Sequence, residues 1–465
     1  MKSPLNNDTI AALSTPSGVG AIAVIRVTGK EAFKICSGIF RKKNSKETDL
    51  SQFDSHTAHF GEIKYDNSVV DEVVLTIFKS PNSYTGENIV EISCHGSRYI
   101  QEQLLHLLVK SGARLATGGE FTLRAFLNGK LDLSQAEAVA DLIASDSASS
   151  HHLAIQQMRG GFSGKIKQLR EKLIDFASLV ELELDFSEED VEFAGREELK
   201  KLVSSLQTVI QQLIQSFELG NVIKNGIPVC IAGRPNAGKS TLLNSLLNEE
   251  RAIVSDIPGT TRDTIEDEIV IESVRFRFID TAGIRNTVDV LEIAGVERTY
   301  KALQDASIII YLFDVNELTI NDLQKELKDL KQYIKNSDLI LAGNKIDKED
   351  FKNIKQKFAS KDEILFISSK AKTGLDDLKD RLLTIFKEKT SNIPETILTN
   401  ARHVEALQAT NDALSRVSDG LDKKRSGELL ASDIRNALYH MGLITGEVST
   451  EDLLNNIFSR FCIGK

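Results

Sequence analysis

Residues 233–240, GRPNAGKS, stand between the apolar run VCIA (229–232) and the leucine-rich TLLNSLL (241–247). An apolar run of strand length, a loop with two glycines and a helical pattern, in that order, fit G-x-x-x-x-G-K-[ST], a phosphate-binding loop. Gly233 and Gly238 let backbone N–H groups turn inward around phosphate oxygens, with Asn236 and Ala237 on the turn between them. Lys239 reaches the β and γ phosphates and Ser240, followed by Thr241, can ligate Mg2+, all at a helix N-terminus. Alone, the match also describes a plain glycine turn.

Three further motifs remove that alternative. Asp280-Thr281-Ala282-Gly283 closes the apolar run that starts at Val274, which places Asp280 to support a Mg2+ shell and the Gly283 N–H near a γ-phosphate. Asn344-Lys345-Ile346-Asp347 closes another run. The Asp347 carboxylate can accept from the N1–H and N2 amine of guanine, donors that adenine does not offer in that arrangement. Ser368-Ser369-Lys370 resembles the S-A-K loop that contacts the guanine carbonyl in GTPases, and the AKTG that follows leaves its register open. Motifs in this order predict a Ras-like α/β GTPase domain.

The chain around that domain has 465 residues, room for about three folded units. With 41% hydrophobic and 27% charged residues it has the balance of a globular protein, and no apolar run nears the roughly 18 residues of a membrane span. The first ten residues lack the apolar region of a secretory signal, so a cytoplasmic location with no membrane partner is expected. Cys36, Cys94, Cys230 and Cys462 form no CxxC pair, and the adjacent His151 and His152 point about 100° apart on a helix, so neither a disulfide framework nor a zinc site is indicated. A net charge of −10 argues against a free-standing nucleic-acid binder.

Strand patterns at 21–27, 57–63, 69–78 and 88–93 predict an α+β or β-rich N-terminal unit. From Ser134 the period becomes helical, with SQAE (134–137) read as a capping box, and the one-sided pattern runs through Leu169, Leu173, Ala177 and Val180, then resumes from Leu202 to Phe217. LGNVIKNGIP (219–228) reads as a linker into the α/β unit, and helical patterning returns after KEKTSNIPE (387–395). Helices on both sides of the α/β segment imply one discontinuous all-α domain with the GTPase domain inserted. The expected division is 1–122, 123–222, 223–388 and 389–465.

Ras-like enzymes carry a water-orienting glutamine after D-T-A-G, but Ile284 stands here, and an arginine finger is worth about 10³ to 10⁵ in rate. At this point the sequence closely resembles the bacterial MnmE (TrmE) family of tRNA-modification GTPases, from PSGVGAIAVIR (16–26) to the terminal FCIGK (461–465). The resemblance implies a homodimer whose G domains pair face to face around K+. Asn236, backbone oxygens of Ser255 and Ile257, and Thr260 would hold K+, while Thr261 joins Ser240 on Mg2+; Asp256, Pro258 and Gly259 complete that GTP-binding loop. Glu292 aligns with the glutamate that orients the catalytic water, although its spacing equally suits a charged helix residue, and Arg285 lies in the same segment.

For the N-terminal unit the resemblance implies a folate-binding domain similar to aminomethyltransferases, with 5,10-methylene-tetrahydrofolate as one-carbon donor. Arg26, Glu91 and Lys130 fall at folate positions; their residue types alone describe surface charges. The family acts in a heterotetramer with the FAD-dependent MnmG (GidA). Together they install aminomethyl or carboxymethylaminomethyl groups at C5 of the wobble uridine of certain tRNAs, with tRNA held largely through the partner. The rival readings are a ribosome-assembly GTPase of Era or Der type, which should carry a basic appendage or a second phosphate loop, and a scaffold that uses nucleotide as a clamp. The last four residues, CIGK, have a prenylation outline, but lysine is a poor final residue and STEDLLNNIFSRF (449–461) reads as an amphipathic helix capped by Ser449. The resemblance places Cys462 and Lys465 at the folate pocket, with Cys462 a nucleophile, a proton donor or a packed thiol.

Overall fold

A computed structural model of the chain describes residues 8–42, 48–66, 68–185, 195–249, 267–272, 274–279, 301–334, 337–358, 364–390, 396–459 and 461–464. Two compact units result: residues 1–143, 156–203 and 412–465 form one, and residues 144–155 and 204–411 the other.

The first unit begins with seven strands: β1 (Ile10–Leu13), β2 (Ile22–Thr28), β3 (Phe40–Lys42), β4 (Thr57–Tyr65), β5 (Ser68–Phe78), β6 (Ile89–His95) and β7 (Arg114–Leu115). They form one mixed sheet in the order β3-β4-β5-β6-β2-β1-β7, antiparallel except for the β1/β7 pair. Alternation along β5 sends Val73, Leu75 and Ile77 inward and leaves Glu72 and Val74 exposed, so this strand turns one face to the core. The helices α1 (Ala32–Ile39) and α2 (Arg98–Lys110) cover that face, packing Phe33, Ile35, Leu104 and Leu107 with Ile25, Leu75 and Ile92.

The helical region follows α3 (Glu120–Leu127) as α4 (Leu133–Ala144), α5 (Ala148–Met158), α6 (Gly161–Asp185) and α7 (Arg196–Asn225). The capping box of α4 lies two residues before the expected one. Asp132 Oδ1 accepts from Gln135 N (2.9 Å), and Gln135 Oε1 accepts from Asp132 N (2.9 Å). The carboxylate of Asp132 is a strong N-cap acceptor, and Leu133, completely buried, can occupy the first helical position only in this register.

The expected linker at 219–228 is a second correction. α7 continues to Asn225 and ends at Gly226 (φ +84°), where β8 (Ile227–Ala232) starts at once. Gly220 serves close packing rather than a bend, since a Cβ there would sit 1.8 Å from the Leu398 carbonyl oxygen.

The second unit carries a six-stranded sheet of β8, β9 (Asp267–Ile271), β10 (Val274–Phe278), β11 (Ile308–Asp314), β12 (Asp338–Asn344) and β13 (Ile364–Phe366), ordered β13-β12-β11-β8-β10-β9. Every pair is parallel except β9/β10. All seven residues of β11 are buried, as a central strand covered on both faces requires. The layers include α8 (Lys239–Glu249), α9 (Ile320–Lys331), α10 (Phe351–Lys357) and α11 (Leu375–Thr390). This is the Ras-like arrangement expected.

Three last helices, α12 (Ala401–Asp422), α13 (Gly427–Thr445) and α14 (Glu451–Phe458), follow. α6 and α13 pack together in the first unit, bridged by Arg435–Glu181 (2.8 Å) and Arg170–Glu447, so helices from both sides of the α/β segment form the discontinuous bundle. The cap of α14 is Thr450, whose hydroxyl accepts from Leu453 N, and not Ser449. No helix among the described residues is long and apolar enough to cross a membrane.

Candidate functional site

At the C-terminal edge of β8 the chain turns through Gly233 (φ +147°), Asn236 (φ +62°) and Gly238 (φ +102°) into α8. Both glycines are required by contact as well as by φ. A Cβ on Gly233 would lie 2.0 Å from the Leu312 carbonyl oxygen, and one on Gly238 would lie 2.3 Å from Asn344 Nδ2. The loop is thereby pressed against β11 and the end of β12, with Asn236 exposed on its rim. Lys239 donates to the carbonyls of Gly233 (2.8 Å) and Arg234 (2.9 Å), and burial lowers its pKa. An ammonium held by two carbonyl dipoles above a helix N-terminus is a site prepared for an anion. Ser240 is half-buried in the first turn of α8 beside exposed Thr241.

The base-recognition side is assembled around Asn344, which is buried. Its Nδ2 donates to the Ala237 carbonyl (2.8 Å), while its Oδ1 accepts from Ser369 N (2.9 Å) and Ser369 Oγ (3.1 Å). One side chain thus ties the phosphate loop to the Ser368-Ser369-Lys370 loop. Lys345 adopts φ +67° and bridges to Asp314 (2.8 Å) at the end of β11; despite the burial that opposes it, that bridge and hydrogen bonds from Asn316 hold the Asp314 carboxyl below the usual range. Ile346 begins a 3-10 turn that carries Asp347 to the surface. Ser368 Oγ donates to Asp347 Oδ1, and this hydrogen bond lowers the Asp347 pKa, leaving a carboxylate at neutral pH. Ser368 pairs with Thr373 across its turn and Ser245 Oγ donates to the Ser369 carbonyl (2.7 Å), which gives the loop its register; Lys370 is exposed. Asp314, Asn316 and Ser245 supply supports that motif reading missed, because no motif spacing links them to the sites they brace.

Ser255, Asp256, Ile257, Pro258, Gly259, Thr260, Thr261, Asp280, Thr281, Ala282, Gly283, Arg285, Glu292 and Lys465 lie outside the described residues.

A second constellation sits on the other face of the N-terminal sheet, beside the buried cluster of Ile10, Ala12 and Phe121. Arg26 and Glu91 are register partners on β2 and β6, and the guanidinium bonds Glu91 Oε1 through Nε (2.9 Å) and Nη2 (2.8 Å). The Arg26 guanidinium carbon lies 5.4 Å from the Tyr84 ring centroid and 5.7 Å from that of Phe121. Burial raises the Tyr84 pKa and its hydroxyl pairs with Thr122 Oγ1 (2.9 Å). Lys130 is exposed and donates to the Pro81 carbonyl (2.9 Å). Tyr84 and Phe121 were not legible as site residues, since an aromatic in a turn and one on a short helix carry no spacing signal.

The chain end is built into this same unit. Ile463 bridges to Gly118, Gly119 N donates to the Cys462 carbonyl (3.3 Å), and Ser14 Oγ donates to the Gly464 carbonyl (3.1 Å). A Cβ on Gly464 would lie 2.2 Å from the Leu13 carbonyl oxygen, one residue beyond Ala12, the register partner of Arg26. Cys462 is exposed, whereas Cys36, Cys94 and Cys230 are buried, and burial pushes the Cys94 thiol up to about 11.

Comparison with known proteins adds two family models: MnmE helical domain over residues 133–462, and GTP-binding protein TrmE N-terminus over residues 9–130. The chain is 54% identical over 460 residues to the tRNA modification GTPase MnmE of Cytophaga hutchinsonii, covering 99% of this chain and 98% of that one. It is also 54% identical over 467 residues to the protein of that name from Flavobacterium johnsoniae, covering 99% of this chain and 100% of the relative. Among solved structures, a point variant of Aquifex aeolicus Era bound to GDP·AlF4− matches 40% of this chain and 66% of its own at 30% identity, with a TM-score of 0.26.

Proposed function

We propose a function from one premise: this chain belongs to the MnmE family of tRNA-modification GTPases. It is a GTP hydrolase that acts in tRNA modification. Our further reading is a homodimeric, K+-stimulated, cytoplasmic enzyme that works with an FAD-containing MnmG partner. That pair would use a tetrahydrofolate one-carbon unit to build aminomethyl and carboxymethylaminomethyl groups at C5 of the wobble uridine. The observation that carries the nucleotide part is the Asn344 tie, which fixes the phosphate loop and the guanine-side loops relative to one another.

In this reading the Lys239 ammonium leaves the Gly233 and Arg234 carbonyls for phosphate oxygens, and the Asp347 carboxylate accepts from guanine N1–H and N2. Oxygen donors suit the ions: Ser240 with Thr261 would hold Mg2+, and Asn236, exposed on the loop rim, would join Thr260 and the backbone of Ser255 and Ile257 around K+. The bound cations would neutralise charge that develops on the β and γ phosphate oxygens. Glu292 would orient water, with Arg285 beside it. The Arg26–Glu91 pair fits a pterin: Glu91 can accept from its amine and ring N–H, and Arg26, stacked by Tyr84 and Phe121, can donate to its carbonyl. Lys130 and Lys465 would serve the same ligand, and Cys462 would face it from the docked tail. We also propose the four-segment division near residues 122, 222 and 388, each boundary set at an end of the helix that spans it, α3, α7 or α11. GTP turnover measured in matched KCl and NaCl should be faster by at least about tenfold in KCl; equal rates would remove the K+ role.

A further inference from the structure

Arg234 occupies the second position of the phosphate loop, where the motif sets no requirement. Its Nε and Nη2 both contact Glu326 Oε1 on α9, and Glu326 Oε2 accepts from the hydroxyl of Tyr311 in the middle of β11. The carboxylate therefore holds a loop side chain on one oxygen and a core side chain on the other. Tyr311 is 6% exposed, and burial followed by the Glu326 hydrogen bond pushes its pKa up, so the hydroxyl stays protonated as a donor. Glu326 sits two turns into α9, whose start is fixed by a Thr319/Asp322 capping box. With Gly233 and Leu303 these residues line an open cavity of about 510 Å3 beside the loop.

We propose that Arg234, Glu326 and Tyr311 form a positioning clamp that holds the phosphate loop in its anion-ready shape when Lys239 turns to the nucleotide. This rests on the GTP-binding reading above. Lys239 itself closes the loop by bonding the Gly233 and Arg234 carbonyls. A phosphate that takes this ammonium removes both bonds. The Arg234 tether still anchors the loop at 233–236, so the loop N–H groups stay aimed at phosphate without a fresh ordering cost. The pair is half-exposed on the arginine side, where ion pairs add little to global stability, so its effect falls on loop order rather than on folding.

The test uses the full-length chain with GDP titrated calorimetrically and GTP turnover measured over a range of concentrations. Arg234→Ala and Glu326→Ala should each weaken GDP binding roughly tenfold, the weight of ordering about one backbone residue, and raise KM for GTP with kcat changed less than about twofold. The double variant should match either single, because both remove one tether. Glu326→Gln, which keeps the shape and one acceptor oxygen for Arg234 while its amide N–H can donate to the Tyr311 oxygen, should recover most of the affinity. Unchanged GDP affinity, additive losses, or a melting temperature that falls in step with affinity would overturn the clamp. If Glu326→Ala does not fold, Tyr311→Phe carries the test, with about threefold weaker GDP expected and wild-type affinity contradicting it. A wild-type chain that binds ADP as well as GDP would instead sink the guanine reading.

Discussion

Asn344 uses both ends of its amide inside the protein, with Nδ2 on the phosphate loop and Oδ1 on the Ser369 loop, and Asp347, three residues on, is left facing outward. The division follows from burial: an amide can be satisfied in the core, whereas a carboxylate without a counter-charge is cheaper at the surface. Asp347→Asn keeps the shape but loses the anion, and GDP binding should weaken about 100-fold, as for loss of charged hydrogen bonds; isothermal titration checks it. Because Ser368 lowers the Asp347 pKa, the carboxylate proposed to bind guanine is present from neutral pH down through the ordinary carboxylate range, and affinity should be lost only as pH falls through the depressed value. Ser368→Ala removes the donor and should move that loss to higher pH in a GDP-binding profile. At the second site, Arg26→Ala takes from Glu91 its paired guanidinium and from the Tyr84 and Phe121 rings their cation, and binding of tetrahydrofolate, followed by fluorescence, should weaken about tenfold or more.

At the scale of elements, the phosphate loop and the strand that ends in Asn344 were legible because each motif is a local demand of backbone geometry on glycine, lysine or carboxylate. The capping box of α4 and the path of α7 were misread for a physical reason. A capping residue is chosen by which register buries the helix face, so Asp132 prevails over Ser134 once Leu133 is buried; a glycine can serve contact as well as flexibility. Gly220 makes the distinction measurable. Gly220→Ala would drive a Cβ into the Leu398 carbonyl and should destabilise by about 1 to 3 kcal/mol in urea unfolding. Gly164→Ala, on α6 with nothing within 4 Å of the added carbon, should stabilise by about 0.5 to 1 kcal/mol. A Gly220→Ala chain as stable as the wild type would return that glycine to the role of a hinge. The Arg234–Glu326–Tyr311 cluster escaped the sequence because its members are brought together from a loop, a helix and a strand with no shared spacing.

For the whole molecule, an α/β domain set within helices was readable from the change of hydrophobic period, and the packing of α6 on α13 realises the discontinuous bundle. The docking of the tail was only half readable: the apolar face of α14 predicts a bound end, but the bridge of Ile463 to Gly118 and the fit of Gly464 against Leu13 depend on residues hundreds of positions away. The fit against Leu13 brings Gly464 to the sheet on which Arg26 and Glu91 stand. In the function proposed above, GTP hydrolysis by this chain serves modification of the wobble uridine. Nucleoside mass spectrometry of tRNA from a strain lacking the gene tests it most directly. Loss of the aminomethyl and carboxymethylaminomethyl uridines, restored by the wild-type chain and not by Asp347→Asn, is the predicted result; an unchanged wobble-uridine profile in the deletion strain would contradict it.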